Sequence, residues 1–148
     1  MPEQSDYLKQ LDARLTQLED EKKVSAVMNR YMPLCDDLRE NTDISSIVKL
    51  FTADAIWRGE RKRYSKTVPK LTGRGEIEAM FSRCVTPPVH FDFNAHFLFL
   101  CNETITASGN SAQGSWMMLQ PSTFKDGQSQ RSGAFIQSKF TKSTIIGS

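Results

Sequence analysis

The sequence predicts an α+β fold, with helices in the first part of the chain and antiparallel strands in the second. Before Pro87, apolar residues recur every three or four positions in several segments, as in amphipathic helices. After Pro88, apolar and polar residues alternate, as in half-buried strands. The sequences TASGNSA and KDGQ supply turns between these later segments. A sheet of this kind buries one face against helices, which defines the α+β class.

Length and composition indicate one globular domain. The chain has 148 residues, of which 39% are hydrophobic and 24% charged, and its formal net charge is +2. We therefore expect a single domain over residues 1–148, with a leading amphipathic helix over residues 1–20. The first ten residues lack a signal-peptide core and no apolar run could span a membrane, so we expect a cytoplasmic protein without membrane contacts.

The leading helix is followed by a second helical pattern. Four leucines recur at alternating steps of three and four: Leu8, Leu11, Leu15 and Leu18. This stripe predicts a helix that packs on the core or on a partner. The charged run EDEKK interrupts the pattern, which resumes at Val24 and continues to Leu34 or Cys35. Pro33 is expected to kink or end this second helix nearby, because its ring opposes the carbonyl four residues earlier.

Two more helices and a strand are predicted before the sheet. In NTDISSIVKLF, Thr42 or Asp43 is a plausible N-cap for a helix whose apolar face ends at Phe51. The segment ADAIWRGE predicts a strand, and the segment from Gly75 to Val85 predicts another helix.

The segment from His90 to Cys101 predicts a strand with one aromatic and one polar face. The first face would carry Phe91, Phe93, Ala95, Phe97 and Phe99, and the second His90, Asp92, Asn94 and His96. The segments QGSWMMLQ and GAFIQSKF predict further strands. An aromatic face of this size is expected to pack against helices or a second subunit.

These motifs, in this order, resemble a known family. The series Y-x4-D, LFTADAIW, LTGRGEIEAMF, H, GSWMML, DG and GAF resembles the SnoaL-type polyketide cyclases and dehydratases of the nuclear-transport-factor-two-like superfamily. Within that group the chain is most similar to bile acid 7α-dehydratases, from about Leu8 to Phe140. The resemblance implies a cystatin-like cone, in which a curved antiparallel sheet wraps around three N-terminal helices and leaves a deep apolar pocket. Relatives continue past KFTKSTIIGS, so we expect the last strand to be absent or supplied by a partner.

The resemblance also implies three catalytic residues: Tyr31, Asp36 and His96. Removal of water from a carbon β to a carbonyl needs a base for the acidic C–H and an acid for the departing hydroxyl, and histidine can serve as either. Asp36 would hold the histidine tautomer, and Tyr31 would protonate the substrate oxygen. The residues RENT lengthen the connection after Asp37, so Asp37 is an alternative for the carboxylate. Without the resemblance, each of these residues would be assigned to packing or to solvent.

Six residues are expected to line the pocket: Phe51, Trp57, Phe81, Trp116, Met118 and Gln120. Phe51 and Phe81 are better explained as core residues than as ligand contacts, and Trp116 is the better ligand-facing candidate because it matches the family's pocket strand. Gln120 stands where bile acid dehydratases carry an acidic residue, and an amide cannot take up a proton at neutral pH. We expect no cofactor. The three cysteines lack metal-ligand spacing, and His90 and His96 have only Asp92 nearby, so no metal site is predicted.

The segment RGERKRYSKTVPK carries the main cluster of positive charge. Its basic residues are Arg58, Arg61, Lys62, Arg63, Lys66 and Lys70. They suit a solvated loop or a strand edge, or attraction of an anionic substrate at the pocket rim. Nucleic acid is not expected as a partner, since no aromatic residues interleave at stacking spacing.

Two functions remain open. The first is a cofactor-independent dehydratase or isomerase for a polycyclic, steroid-like or polyketide-like substrate. The second is a non-catalytic domain of the same fold that binds a small apolar ligand or serves in assembly. For either one we expect a homo-oligomer, a dimer or trimer, formed through the aromatic face.

Overall fold

A computed structural model of the protein describes residues 2–59 and 70–142. These residues group into two compact units, each built from separate parts of the chain. The first unit contains the residues up to Arg30, Phe97–Leu119 and the residues from Gly133 onward. The second contains Tyr31–His96 and Gln120–Ser132. The element order is α+β, with antiparallel strand pairs after the helices, as predicted.

The described helices and strands follow one another in this order. The helices are α1 (Pro2–Asp36), α2 (Ser45–Val48) and α3 (Arg74–Val85), and a short 3-10 turn covers Leu100–Asn102. The strands are β1 (Ile56–Trp57), β2 (Leu71–Thr72), β3 (Phe91–Asn94), β4 (Phe97–Leu98), β5 (Thr104–Ser108), β6 (Ser111–Phe124) and β7 (Ser129–Thr141). In the part of the chain that the structure describes, no helix is both long enough and apolar enough to cross a membrane.

Helix α1 is longer than predicted. It runs without a break through EDEKK, so the predicted interruption was wrong. Glutamate and lysine are good helix formers, and a charged run therefore ends an apolar stripe without ending the helix. Pro33 lies inside α1, which ends three residues later at Asp36. The predicted end near Pro33 is thus confirmed, and the backbone stays helical across Tyr31–Asp36.

The second unit has a core formed by the helices. The deepest side chains are Ile47, Ile77 and Phe81, on α2 and α3, and Cys35 of α1 packs with them. Helix α3 agrees with its prediction to within one residue, whereas α2 is a single turn whose first N–H, on Ser45, binds the Asp43 carboxylate. Among the described residues of the strand predicted from ADAIWRGE, the two residues of β1 pair with β2.

The five-stranded sheet is organised around β6. This strand pairs with β3, β4, β5 and β7. The connections between β5 and β6 and between β6 and β7 are tight turns that contain Gly109 (φ 59°) and Gly127 (φ 87°), residues whose backbone lies in the region that favours glycine. Both predicted hairpins are therefore present.

The strand predicted from His90 to Cys101 is divided into β3 and β4. The ladder is interrupted at Ala95 and His96, and Ala95 donates its N–H to the carbonyl of Pro121 instead. Within β3, Asn94 is buried and Phe93 is 53% exposed, whereas Phe91 is less exposed than Asp92. Phe93, Phe97 and Phe99 are exposed, whereas Phe91 is partly buried and stacks on Phe124.

Candidate active site

A carboxylate and an imidazole meet in the second unit. His96 Nδ1 lies 2.7 Å from Asp36 Oδ1, although the residues are 60 positions apart in sequence. Asp36 is the last residue of α1, and His96 occupies the break between β3 and β4. The His96 side chain is 12% exposed and that of Asp36 is 31% exposed. The pair is partly buried, which strengthens a charge-assisted hydrogen bond relative to one in open solvent.

This contact decides which nitrogen of His96 can act as a base. An ionised carboxylate only accepts hydrogen bonds. Nδ1 of His96 therefore carries a hydrogen and donates a hydrogen bond to Asp36. In the neutral ring, Nε2 then holds the free lone pair. When Nε2 takes up a proton, the carboxylate stabilises the resulting imidazolium. The pair therefore has the arrangement of a general base with an orienting carboxylate.

Asn94 ties the end of α1 to the strand that precedes His96. Its side-chain Nδ2 donates to the carbonyl of Cys35 at 3.3 Å, and its Oδ1 accepts from Gln120 Nε2 and Ser122 Oγ, both at 2.8 Å. The last carbonyls of a helix have no donor within the helix, so Asn94 supplies one next to Asp36. Asn94 was placed on the polar strand face by the sequence but was not predicted as a site residue; its shared parity with His96 was the available signal.

Asp37, the alternative carboxylate, has a different environment. Its Oδ1 lies 2.7 Å from Arg39 Nε, and both side chains are well exposed. The residue that contacts His96 is Asp36.

Tyr31 has its own set of neighbours in the same unit. Its ring packs edge-on against Phe51, with the ring centres 5.6 Å apart. Burial raises the pKa of Tyr31 well above its usual value, the neighbouring Cys35 raises it further, and a hydrogen bond from Trp57 acts in the opposite direction. On a regular helix, residues 31 and 36 point about 140° apart, whereas 31 and 35 share a face. The helix continues through Pro33 to Asp36, so the backbone does not turn Tyr31 and Asp36 to one side.

The expected pocket residues of the second unit lie in its core or near it. Phe81 is buried within it, and Phe51 and Trp57 are partly buried against it. Gln120 is partly buried and is engaged by Asn94. These positions suit Phe81 as a core residue, and leave Phe51 and Trp57 as the more accessible aromatic side chains.

Trp116 and Met118 belong to the first unit. Trp116 is only 1% exposed and donates its indole N–H to Glu103 Oε1 at 2.8 Å, which also accepts from Ser25. Its ring occupies the space that a side chain at Gly114 would need, since a Cβ there would lie 2.2 Å from the ring. Trp116 is thus a fully packed residue of the sheet, and Met118 is partly buried on the same strand.

Other predicted features are distributed as follows. Within the basic segment, Arg58 and Lys70 are exposed, and Arg61, Lys62, Arg63 and Lys66 lie outside the described residues. Over residues 2–59 and 70–142, no three His, Cys, Asp or Glu side chains group as metal ligands. An open groove of about 290 Å³ in the second unit is lined by Phe93 and residues 121–123 and 129–131, and includes neither Asp36 nor His96.

Comparison with known proteins identifies relatives of the same fold. A family model for the SnoaL-like domain matches residues 16–144. A search of curated proteins found no match. An NTF2-like protein with a cystatin-like fold from Novosphingobium aromaticivorans is 23% identical, with a TM-score of 0.67, and the match covers 93% of this chain and 81% of the other.

Two further solved structures support the same architecture. A second Novosphingobium aromaticivorans protein, provisionally named an aromatic ring hydroxylase, is 19% identical with a TM-score of 0.69, over 86% of this chain and 81% of its own. An NTF2-like superfamily protein from Salmonella enterica is 16% identical with a TM-score of 0.62, over 84% and 80% of the two chains. At these identities the likeness shows the fold, which is α+β of the NTF2-like, cystatin-like type.

Proposed function

The chain belongs to the SnoaL-like domain family, and on that basis we propose that it is a cofactor-independent lyase of the dehydratase type, or an isomerase, that uses acid-base chemistry. The observation that carries the proposal is the hydrogen bond of 2.7 Å between His96 and Asp36. A histidine held in one tautomer by a carboxylate is suited to removing a proton from carbon next to a carbonyl group.

The proposed reaction begins at His96 Nε2, which removes the proton α to a substrate carbonyl and leaves an enolate. In a dehydration, the electron pair of the enolate then expels a hydroxyl from the β carbon, and that hydroxyl leaves as water after it receives a proton. In an isomerisation, the proton returns to a different carbon and no group leaves. Tyr31 is the proposed proton donor, because the motif resemblance assigns it that role and a phenol carries its proton at neutral pH.

The proposed substrate is a rigid polycyclic compound with one or two oxygens, of the steroid or polyketide type. Support comes from the motif resemblance to bile acid 7α-dehydratases and from the partly buried Phe51 and Trp57 beside the core. Gln120 contributes no proton, because its side chain is an amide that donates to Asn94. The proton donor therefore has to come from another residue.

A non-catalytic ligand-binding domain is the second candidate. It is favoured by the neighbours of Tyr31, whose hydroxyl is buried beside Cys35 and Trp57, and by the close packing of Trp116. Both functions are compatible with binding of an apolar compound, and only the first predicts proton transfer.

Hydrogen exchange in deuterated water separates the two. The purified chain is incubated with fused-ring ketones and β-hydroxy ketones, and mass spectrometry follows both deuterium uptake at the α carbon and loss of water. We expect uptake with the parent chain and not with His96→Ala. A thermal-shift screen in parallel should show larger stabilisation by steroids or fused-ring ketones than by sugars or nucleotides. Stabilisation without proton exchange would assign the binding function, and stabilisation by nucleotides alone would refute both.

A further inference from the structure

The first part of α1 carries an apolar stripe that is exposed to solvent. Residues 3–19 are all exposed, over a length of about 25 Å. Leu8, Leu15 and Leu18 are each more than half exposed, and Leu11 is 39% exposed. Four leucines in one row on a projecting helix are a typical sign of a missing partner.

This stripe is distinct from the face that α1 buries further along. Val24 and Met28 are buried, and the ion pair between Lys142 and Asp20 marks the point where the rest of the first unit begins to cover the helix. At about 100° per residue, Val24 lies on the opposite side of the helix from Leu15. The stripe is therefore not a continuation of the buried face, and a separate surface has to cover it.

The spacing of the leucines is that of a coiled coil. Leu8 and Leu15 occupy the a positions of a heptad, and Leu11 and Leu18 occupy the d positions. A row of a and d leucines is covered best by an identical row on another helix, because each side chain then inserts between side chains of the facing helix. This geometry selects a helix as the partner.

The charged residues beside the stripe favour a second copy of this chain as the partner, with the two helices parallel. Arg14 is at g and Glu19 is at the following e position, and in a parallel pair of identical helices these two residues face each other across the interface. Neither forms an ion pair within the part of the chain that the structure describes. An antiparallel pair would instead place the acidic e residues, Asp12 and Glu19, of the two copies side by side.

We propose that residues 5–21 of α1 form a parallel, two-stranded coiled coil with the same segment of a second copy of this chain. Leu8, Leu11, Leu15 and Leu18 form its seam, and Arg14 pairs with Glu19 of the partner subunit on both sides. This inference is independent of the proposed catalytic function, since every residue that carries it lies on the exposed segment of α1.

The first test compares two doubly substituted full-length chains by light scattering over a range of concentrations. Leu11→Glu with Leu15→Glu places charges in the seam, and Gln10→Glu with Thr16→Glu makes the same charge change on the opposite side of the helix. We expect the parent and the control to have the mass of two copies, and the dissociation constant of the leucine variant to rise at least roughly tenfold. Equal melting temperatures in all three would show that the units remain folded.

The second test determines the direction of the helices. In a background with Cys84→Ser and Cys101→Ser, Leu18→Cys should form a disulfide with its own counterpart, because a parallel pair brings identical d positions within reach of a disulfide. Arg14→Glu should weaken the dimer, and Arg14→Glu with Glu19→Arg should restore it. Four results would each overturn the proposal. The parent could be a monomer or have a mass of three or more copies, or the leucine variant could keep the mass of two copies. The fourth is cross-linking only between Leu8→Cys and Leu18→Cys chains.

Discussion

His96 Nδ1 lies 2.7 Å from Asp36 Oδ1 and joins the end of α1 to the break between β3 and β4. The neighbouring bond from Asn94 to the carbonyl of Cys35 makes a second connection between the same two segments. Two adjacent bonds fix a side chain more firmly than one, so the orientation of Asp36 is set by its backbone as well as by His96.

We expect His96 and Asp36 to be required for turnover, and Asp37 to be dispensable. His96→Ala should lower the rate by roughly 10² to 10⁴, because the general base is lost. Asp36→Asn should lower the rate and change the tautomer of His96. Nitrogen NMR of the imidazole ring detects the change of tautomer without substrate. Asp37→Asn is the matched control, since this side chain is exposed and paired with Arg39. If Asp36→Asn left the rate unchanged and Asp37→Asn lowered it, the assignment of Asp36 as the carboxylate that serves His96 would be contradicted.

Tyr31→Phe tests whether the phenol is a proton donor. If Tyr31 donates to the substrate, the rate should fall by roughly 10² or more, as for loss of a general acid. The free energy of unfolding should fall by only about 1 kcal/mol, the usual net value of one hydrogen bond. Activity assays measure the rate, and urea unfolding measures the free energy of unfolding. An unchanged rate with lower stability would show that Tyr31 serves packing with Cys35 and Trp57, and that another group supplies the proton.

Asn94→Ala should loosen the site and destabilise the fold. It leaves the Cys35 carbonyl and two neighbouring side chains without their partner, which costs about 1 to 3 kcal/mol for a buried group. Gln120→Ala removes only one of these bonds and should cost less. Asn94→Asp keeps the acceptor and loses the donor to Cys35, so it should lower kcat more than it raises KM. Equal unfolding energies for Asn94→Ala and Gln120→Ala would argue against a positioning role.

Stability should decline in alkaline solution because of two buried acids. Burial raises the pKa of the Cys35 thiol to about 12, with a smaller increase from Asp36, and burial likewise raises the pKa of Tyr31. In the unfolded chain these groups ionise at about 8.5 and about 10. The unfolded state therefore binds fewer protons at high pH, and stability that is complete below pH about 8.5 is lost as the pH rises towards 12. Each group contributes at most about 1.4 kcal/mol per pH unit.

The comparison of two cysteine variants isolates this effect. Cys35→Ala should flatten the decline in unfolding energy between pH about 8.5 and 12, after allowance for its lower stability at neutral pH. Cys101→Ala is the matched control, because it removes an exposed thiol. Identical slopes in both variants and the parent would refute the assignment of the raised pKa to Cys35.

Local patterns determined much of this protein. Three features could be predicted from the sequence, because each depends on neighbours close in sequence. They are the helical period of α3, the turns at Gly109 and Gly127, and the inward direction of the even-numbered residues on β6. The resemblance carried by the ordered motifs predicted the NTF2-like fold, which the SnoaL-like family model and the solved relatives confirm.

The tertiary structure decided what periodicity leaves open. The charged run in α1 did not end the helix, since charge removes an apolar face without opposing helical backbone. The choice between Asp36 and Asp37 for contact with His96 depended on where α1 stops relative to a strand 60 residues away. Asn94 and the environment of Tyr31 likewise follow from contacts between distant segments. Sequence spacing specifies the face on which a side chain lies, and only the packing of one element on another specifies what that face meets.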